Sequence, residues 1–369
     1  MSKLRIENIL DYMVKAGASD CYITVGAPVA LRIDGVTKFL KMEPLTDEDA
    51  EELIRETLTD KQIAEFYDKN ELNAGLYFRN FGRFRLNVLR QRGLAALVIR
   101  RIKSEIPSIE ELNLPELLKK LVMLKSGLIL VVGPTGSGKT TTLAAMIDYR
   151  NERTSGHIIM LEDPIEYYHD HKKSIVTQRE IGIDTADFKT GLKNALRQAP
   201  DVILVGEVRD AETMETAIHT AQTGHLCLAT LHSSTALQTL ERILNFFPPS
   251  KHNQLLMDLS GSLRAVIAQR LVSSVTGGRV PAVEIMVDSP RIKDLIMRGR
   301  FEEIPDAIEK GANYEMISFD QSLYELYSKG LITLEEALAN AESQNNLRLK
   351  IKMNTKQEFG ESVKQLKLE

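Results

Sequence analysis

The sequence predicts an α/β protein with two domains, and three observations support that prediction. Residues 1–101 mix segments of helical and strand periodicity, residues 102–116 are polar and contain two prolines, and residues 117–369 begin with alternating strands and helices. A chain of 369 residues is long enough to bury two or three separate cores. We therefore expect an N-terminal mixed α/β domain over 1–101, a linker over 102–116 and a larger domain over 117–369.

The N-terminal domain is predicted to combine helices with an antiparallel sheet. Apolar residues recur at helical spacing over 6–14, and Gly17 stands where that helix would end. The segments CYITVG and ALRIDGV alternate like strands, with Asp34 and Gly35 at a hairpin turn. Thr46 precedes a run of acids and is a strong N-cap for a second helix. Three further strands are predicted at the end of this domain: LNAGLYF, RFRLNVLR and LAALVIRRI.

The second domain is predicted to hold a mostly parallel sheet with helices on both faces. Its predicted strands are GLILVVG, HIIMLE, VILVG and LCLATL, and helices are expected from Lys139, near 187–198 and from Ala211. After about residue 235 the chain is predicted to be mainly helical, including the whole of HNQLLMDLSGSLRAVIAQRL. From about Ser343 the chain is polar and rich in lysine, which fits either a frayed helix or a docking tail.

Composition and charge exclude several classes of protein. The purely apolar runs, such as Leu128–Val132, are far shorter than the roughly 20 residues of a membrane span, and the N-terminus has no apolar signal-peptide core. Two cysteines cannot build a disulfide framework or an all-cysteine zinc site. A net charge of −4 gives no overall support for nucleic-acid binding. We expect a cytoplasmic protein.

The segment GPTGSGKT, Gly133–Thr140, predicts a binding site for a nucleoside triphosphate. It matches G-x-x-x-x-G-K-[ST], follows an apolar strand and opens a helix, which is the context that gives this pattern its meaning. The glycines allow backbone N–H groups to face a phosphate chain, Lys139 supplies a cation for the β and γ phosphates, and Thr140 supplies a hydroxyl for Mg²⁺. The residues expected to contact the nucleotide here are Gly133, Pro134, Thr135, Gly136, Ser137, Gly138, Lys139, Thr140 and Thr141.

Acidic residues lie at the ends of two predicted strands of the same sheet. Glu162, Asp163 and Glu166 follow one apolar strand, and Glu207 follows another with Gly206 interposed, which is unusual for a metal-holding acid. Hydrolysis of a nucleotide needs a metal holder and a group that orients water at the carboxyl ends of neighbouring strands. Helix capping or exposure in a loop is the alternative role for any single acid in this set.

Two histidines, His225 and His232, bracket the strand LCLATL. They are seven residues apart, and an odd separation along a strand sends side chains to opposite faces, so they are not expected to share one metal ion. His232 lies at the carboxyl end of the strand, where a nucleotide would sit, and its imidazole can register the γ-phosphate. His225 lies at the other end, where capping or packing is the competing role.

Four elements now stand in order along the chain: GPTGSGKT, LEDPIEY, LVGEVRD and TGHLCLATLH. Together they resemble the secretion and type IV pilus ATPase superfamily, in which they are called the Walker A, Asp box, Walker B and His box. The resemblance covers nearly the whole chain and is strongest to the PilT/PilU retraction ATPases. Within that group the sequence is more similar to PilU than to PilT. Extension motors of the superfamily usually carry a four-cysteine zinc element, which this chain lacks. The resemblance implies a PAS-like N-terminal domain and a RecA-like P-loop ATPase domain with a helical C-terminal part.

The resemblance also implies roles for the acids and histidines. Glu166 would polarise the attacking water, with Glu162 as the alternative, and Glu207 would act on Mg²⁺ or its water shell. His232 would sense the γ-phosphate, and His225 belongs to the same box. ATP and Mg²⁺ are the implied substrate and cofactor.

Arginines of the N-terminal sheet are implied to reach phosphate in the same chain or in a neighbour. The segment GRFRLNVLR matches the part of the family's N-terminal sheet that carries these arginines. Arg83 and Arg85 are therefore the first candidates, followed by Arg100. A planar guanidinium suits this role because it spans two phosphate oxygens. A solvated strand face is the alternative for each of them.

The function implied by the resemblance is a homohexameric motor that hydrolyses ATP to retract type IV pili and so drives twitching motility. Its implied partners are copies of itself, an inner-membrane pilus platform protein and a second retraction ATPase. It would be cytoplasmic and peripherally associated with the inner membrane at the pilus base. One alternative is an auxiliary ATP-binding ring that supports another motor with little turnover of its own. A RecA-like nucleic-acid translocase is disfavoured by the acidic net charge and the absence of tryptophan.

Overall fold

A computed structural model describes residues 5–78, 81–102 and 105–353. These residues form two compact units. The first unit contains the described residues up to Glu105 together with the short segment Ile165–Tyr168. The second contains Ile106–Pro164 and the described residues from His169 onward. Within the described ranges, no helix combines the length and the apolar character that crossing a membrane requires.

The first unit is built on an antiparallel sheet, as predicted, and the sheet has six strands. The strand order is β3-β2-β1-β6-β5-β4. The elements are α1 (Ile6–Lys15), β1 (Asp20–Thr24), β2 (Ala30–Ile33), β3 (Val36–Phe39), α2 (Asp47–Thr57), α3 (Asp60–Lys69), β4 (Glu71–Phe78), β5 (Gly82–Gln91) and β6 (Leu94–Arg101). Alternate residues of β5, namely Phe84, Leu86 and Val88, are fully buried, so one face of the sheet carries the core.

Local sequence signals account for most boundaries in this unit. Asp34 and Gly35 both take positive φ, 50° and 79°, which gives the predicted tight hairpin between β2 and β3. Thr46 caps α2, and its side chain and that of Asp49 satisfy each other's backbone N–H groups in a capping box. Helix α3 was not predicted, although Thr59 and Gln62 form a second capping box at its start.

The second unit contains a seven-stranded sheet in the order β13-β12-β7-β11-β10-β8-β9. All neighbours are parallel except β12 and β13, so the predicted mostly parallel sheet is confirmed. Its elements are α4 (Leu117–Val122), β7 (Gly127–Val132), α5 (Lys139–Arg153), β8 (Gly156–Glu162), β9 (Ser174–Glu180), α6 (Phe188–Ala195), β10 (Val202–Val205), α7 (Ala211–Gln222), β11 (Leu226–Leu231), α8 (Ala236–Phe246), α9 (His252–Ser262), β12 (Leu263–Ser273), β13 (Arg279–Val287), α10 (Pro290–Met297), α11 (Ile304–Glu309), α12 (Phe319–Ser328) and α13 (Leu334–Asn340).

One predicted element of this unit is wrong. The segment HNQLLMDLSGSLRAVIAQRL was predicted as one helix, but the helix ends at Ser262 and β12 begins at Leu263. Val266 and Ile267 of this strand are fully buried and pair in parallel register with Leu130 and Val131 of β7. A buried strand has no polar alternation, so its sequence cannot be separated from a buried helix by periodicity alone.

The register of the parallel strands brings four chain segments to one edge of the sheet. Val132 of β7 pairs with Leu231 of β11, and Val205 of β10 pairs with Leu161 of β8. The residues that follow these strands therefore leave the sheet at the same carboxyl edge. The phosphate loop follows β7, and Glu162 is the last residue of β8. Gly206 and Glu207 follow β10, and His232 follows β11.

Candidate nucleotide site

The loop between β7 and α5 has the conformation of an anion cradle. Gly133, Gly136 and Gly138 take φ values of 155°, 78° and 88°, which strongly favour glycine. The N-cap residue of α5 is Gly138, which has no side chain to cap the helix, whereas the Asp210 side chain caps α7. The hydroxyl of Ser137 is buried without a hydrogen-bond partner. The N–H groups of a helix N-terminus and a buried hydroxyl fit the phosphate oxygens of a nucleotide.

Lys139 lies across this loop. Its Nζ donates to the carbonyl oxygens of Gly133 and Pro134 at 2.8 and 3.0 Å. These contacts hold the ammonium group at the loop, where a β or γ phosphate oxygen would meet a positive charge.

Glu207 and His232 meet at the carboxyl edge of the sheet. Nε2 of His232 lies 3.1 Å from Oε1 of Glu207, and the guanidinium of Arg209 donates to Oε2 at 2.6 Å. Arg209 also approaches Asp163, at 3.7 Å. Burial favours a raised pKa for Glu207, but Arg209, His232 and Lys139 together hold that pKa below its ordinary value. Glu207 is therefore a carboxylate at neutral pH.

Gly206 explains why Glu207 does not directly end its strand. The Gly206 N–H donates to the carbonyl of Leu161 at 2.7 Å, and an added Cβ would lie 2.9 Å from that oxygen. The ends of β8 and β10 thus approach too closely for a side chain. The glycine that made this acid unusual in the sequence is required by the packing of the two strands.

Glu162 lies at the end of β8 and is buried. Nε2 of Gln178 donates to its Oε1 at 3.0 Å, and Oε1 of Gln178 accepts from the backbone N–H of His169 at 2.9 Å. Gln178 belongs to β9, a strand that was not predicted. Gln178 therefore holds both the Glu162 side chain and the backbone at His169, just after the Asp box. No sequence motif includes this strand.

His225 precedes β11, and its carbonyl accepts from the N–H of Gly127 at the start of β7, so it lies at the edge opposite the phosphate loop. Its ring Nδ1 is 3.1 Å from the Thr223 hydroxyl and 3.3 Å from the carbonyl of Thr220 at the end of α7. These contacts fit the competing capping role, and a nucleotide contact of His225 remains a prediction.

The remaining predicted site residues belong to the first unit. Arg100 donates through Nε to Asp20 at 2.8 Å, and this contact is the largest cause of its raised pKa, to which Glu166 adds a small share. The guanidinium of Arg83 lies 5.7 Å from the ring centroid of Tyr168. Arg85 is the cross-strand partner of Arg100. Nucleotide contacts of Arg83, Arg85 and Arg100 and a catalytic role of Glu166 remain predictions.

Comparison with known proteins matches residues 3–277 to the family described as "Type II/IV secretion system protein". The type IV pilus ATPase PilU of Pseudomonas aeruginosa is 48% identical over 353 residues, which cover 95% of this chain and 92% of PilU. The retraction ATPase PilT of the same organism is 40% identical over 92% of this chain and 99% of PilT. A crystal structure of the pilus retraction motor PilT with bound ADP superposes with a TM-score of 0.86, at 44% identity, over 94% of this chain and 99% of that one.

The chain belongs to the type II/IV secretion system protein family. Within this family it is a PilT/PilU ATPase, more similar to PilU than to PilT of Pseudomonas aeruginosa. The predicted family and ATPase activity are confirmed by these relatives.

The described residues of this ATPase contain no group of three or more histidine, cysteine, aspartate or glutamate side chains that could hold a metal ion. A preformed protein cage is therefore absent from that part of the chain. Mg²⁺ in nucleotide sites uses one or two protein oxygens and the substrate phosphates instead. Thr140, in the first turn of α5, and the ionised Glu207 supply oxygens of the kind such an ion takes.

Gly133→Ala is expected to abolish nucleotide binding by this ATPase. The new Cβ would lie 2.3 Å from the carbonyl oxygen of Gln269 and 2.4 Å from the Ser137 hydroxyl, so the loop must move. Titration with a fluorescent ADP analogue measures the loss. The matched control is Gly261→Ala, where the Cβ meets nothing within 4 Å. Wild-type affinity in the Gly133 variant would contradict the loop geometry.

Glu284→Gln is expected to change how the stability of this ATPase depends on pH. The Glu284 carboxylate accepts from the N–H of Ala236 at 2.7 Å, at the start of α8, and burial raises its pKa to about 7. The folded state then holds a proton that the unfolded state releases above about pH 4.5, so this group lowers stability as the pH rises toward 7.

The stability difference between wild type and Glu284→Gln should therefore shift against the wild type by about 1 kcal/mol for each pH unit between pH 5 and 7. Denaturant unfolding at pH 5, 6, 7 and 8 measures it. Glu241→Gln, on the exposed face of α8, is the control and should leave the pH profile unchanged. A constant difference across these pH values would refute the raised pKa.

Proposed function

We propose that this protein is a motor that hydrolyses ATP to retract type IV pili and thereby supports twitching motility. The similarity to PilU and PilT over more than nine-tenths of the chain supports this role. The observation that carries it is the contact between His232 and Glu207 at the edge of the sheet that also carries the phosphate loop. A protein that only binds nucleotide does not need an ionised acid and an imidazole at the γ-phosphate end of its site.

The proposed chemistry follows from the charges at this edge. Backbone N–H groups of the loop and Lys139 would bind the β and γ phosphates of ATP. Thr140 and Glu207 would hold Mg²⁺, which screens the phosphate charge when bound. His232 would donate to the γ-phosphate and lose that partner after hydrolysis, while its contact with Glu207 keeps the ring in place. Water would be oriented by Glu166 or, as the alternative, by Glu162.

We further propose that the protein works as a homohexamer at the cytoplasmic face of the inner membrane, against a pilus platform protein and together with a second retraction ATPase. Opening and closing around ATP would be transmitted through the 102–116 linker between the domains proposed at 1–101 and 117–369. Light scattering of the purified chain with ATP tests the ring. A mass near six chains supports it, and a monomer at micromolar concentration contradicts it.

The proposed function is tested by deleting the gene while every other pilus motor is intact. Excess surface pili without twitching are expected for an essential retraction motor. Pili missing from the cell surface would contradict retraction, because they would mean that the protein drives extension. Complementation with the wild-type gene is the control for effects on neighbouring genes.

An auxiliary role is the second candidate, because identity to PilU exceeds identity to PilT of the same organism. Such a ring would bind ATP, turn over slowly and support another motor. It predicts that the deletion strain retracts normally without load and fails only under load. Retraction force measured in an optical trap separates the two roles.

A further inference from the structure

Gln269 of β12 lies against the phosphate loop, although no sequence motif includes it. Its side chain is buried, with 3% of the residue exposed. Nε2 donates to the carbonyl of Ser137 at 2.8 Å, and Oε1 accepts from the hydroxyl of Thr142 at 2.7 Å. One amide therefore joins the middle of the loop to the second turn of α5.

The orientation of this amide is determined by its partners. The carbonyl of Ser137 can only accept, so it requires the NH₂ group of Gln269. The reversed amide would place two oxygen atoms against each other. Thr142 then donates to Oε1 and completes the chain of hydrogen bonds, and both polar atoms of a buried side chain are satisfied.

The glycines of the loop are packed against the same residue. A Cβ on Gly138 would lie 2.7 Å from Nε2 of Gln269, and a Cβ on Gly133 would lie 2.3 Å from its carbonyl oxygen. Ala268 of β12 is in register with Val132, the last residue of β7, so Gln269 stands level with the start of the loop. Strand β12 thus supports the loop at its start, Gly133, and near its end, at Ser137 and Gly138.

We propose that Gln269 is a positioning residue for ATP. By fixing the Ser137 carbonyl, it orients the peptide units that follow, whose N–H groups lie at the start of α5, toward the phosphates. This inference rests on the proposed role of the phosphate loop. Because the loop contacts substrate and transition state alike, loss of Gln269 weakens binding uniformly and leaves the chemical step nearly unchanged.

The test replaces Gln269 by methionine, which keeps the length and removes both polar atoms. The Kd for a fluorescent ADP analogue and the KM for ATP are expected to rise about tenfold, because the loop N–H groups are no longer held toward the phosphates, with kcat within about twofold. Gln254→Met, at an exposed glutamine of α9, is the control and should change neither value. A Kd within twofold of wild type in a folded Gln269→Met protein overturns the inference.

Thr142 gives a second, milder test that does not depend on the stability of the methionine variant. Thr142→Val removes the hydroxyl and should raise the Kd about threefold, while Thr142→Ser keeps the hydroxyl and should restore it. Thermal melting without nucleotide measures the stability of each variant. If Thr142 has a purely structural role, Thr142→Val lowers the melting temperature but leaves the Kd at the wild-type value. That outcome would also overturn the inference.

Lys139→Ala separates this inference from the proposed site itself. If Lys139→Ala abolishes binding and Gln269→Met does not weaken it, only the positioning role fails. If Lys139→Ala binds nucleotide like the wild type, the phosphate loop is not the site and the proposed function fails with it.

Discussion

Replacing Glu207 by glutamine is expected to lower the rate of ATP hydrolysis by at least about 100-fold while nucleotide binding is retained. Glutamine keeps the shape of the side chain but removes the negative charge that meets His232 at 3.1 Å and Arg209 at 2.6 Å. Phosphate release from the purified protein measures turnover, and a fluorescent nucleotide measures binding.

The matched control for this prediction is Glu212→Gln. Glu212 lies in the first turn of α7, is largely exposed and pairs with Lys189 on the surface. It carries the same charge and is five residues away in sequence, so its loss should leave turnover within about twofold. Equal turnover in the wild type and the Glu207 variant would remove Glu207 from the reaction.

Replacing Lys139 by alanine is expected to weaken nucleotide binding by about 100-fold or more. The ammonium group lies over the loop, within hydrogen-bond distance of two of its carbonyl oxygens. Its loss removes charge-assisted hydrogen bonds to phosphate, each worth about 1.5–3 kcal/mol, and also frees the loop carbonyls. Calorimetric titration with ADP measures the affinity.

Lys189→Ala is the control for this second prediction, because Lys189 is exposed and paired only on the surface with Glu212. A general loss of positive charge would weaken binding in both variants. We expect the loss in Lys139→Ala alone. Undiminished binding in that variant would show that the nucleotide occupies another part of the protein.

The sequence was sufficient to predict most of the fold, because helix caps and apolar strands are local signals. Thr46 marked the start of α2, and Asp34-Gly35 marked the turn between β2 and β3, without any tertiary information. The segment Leu263–Ser273 was predicted as helix because a buried strand lacks polar alternation, and only its pairing with β7 makes it a strand. Strand β9 was missed for a different reason: polar residues such as Gln178 and Glu180 occur within it at the edge of the sheet.

The site was predictable where chemistry follows a fixed spacing. The phosphate loop, Glu207 and His232 were identified from motif and strand order, and the structure brings Glu207 and His232 together. Gln269 and Gln178 could not be identified in this way, because each contacts the site from a strand that is distant along the chain. His225 was assigned to the nucleotide through its motif, whereas strand direction sends it to the opposite edge.

A double-mutant cycle on kcat with Glu207→Gln and His232→Gln tests whether these two side chains act as one unit beside the phosphate loop. Such a shared role predicts that each single variant loses most of the turnover and that the double variant is no slower than the worse single variant, within about threefold. Losses that multiply in the double variant, or wild-type turnover in either single variant, would contradict it.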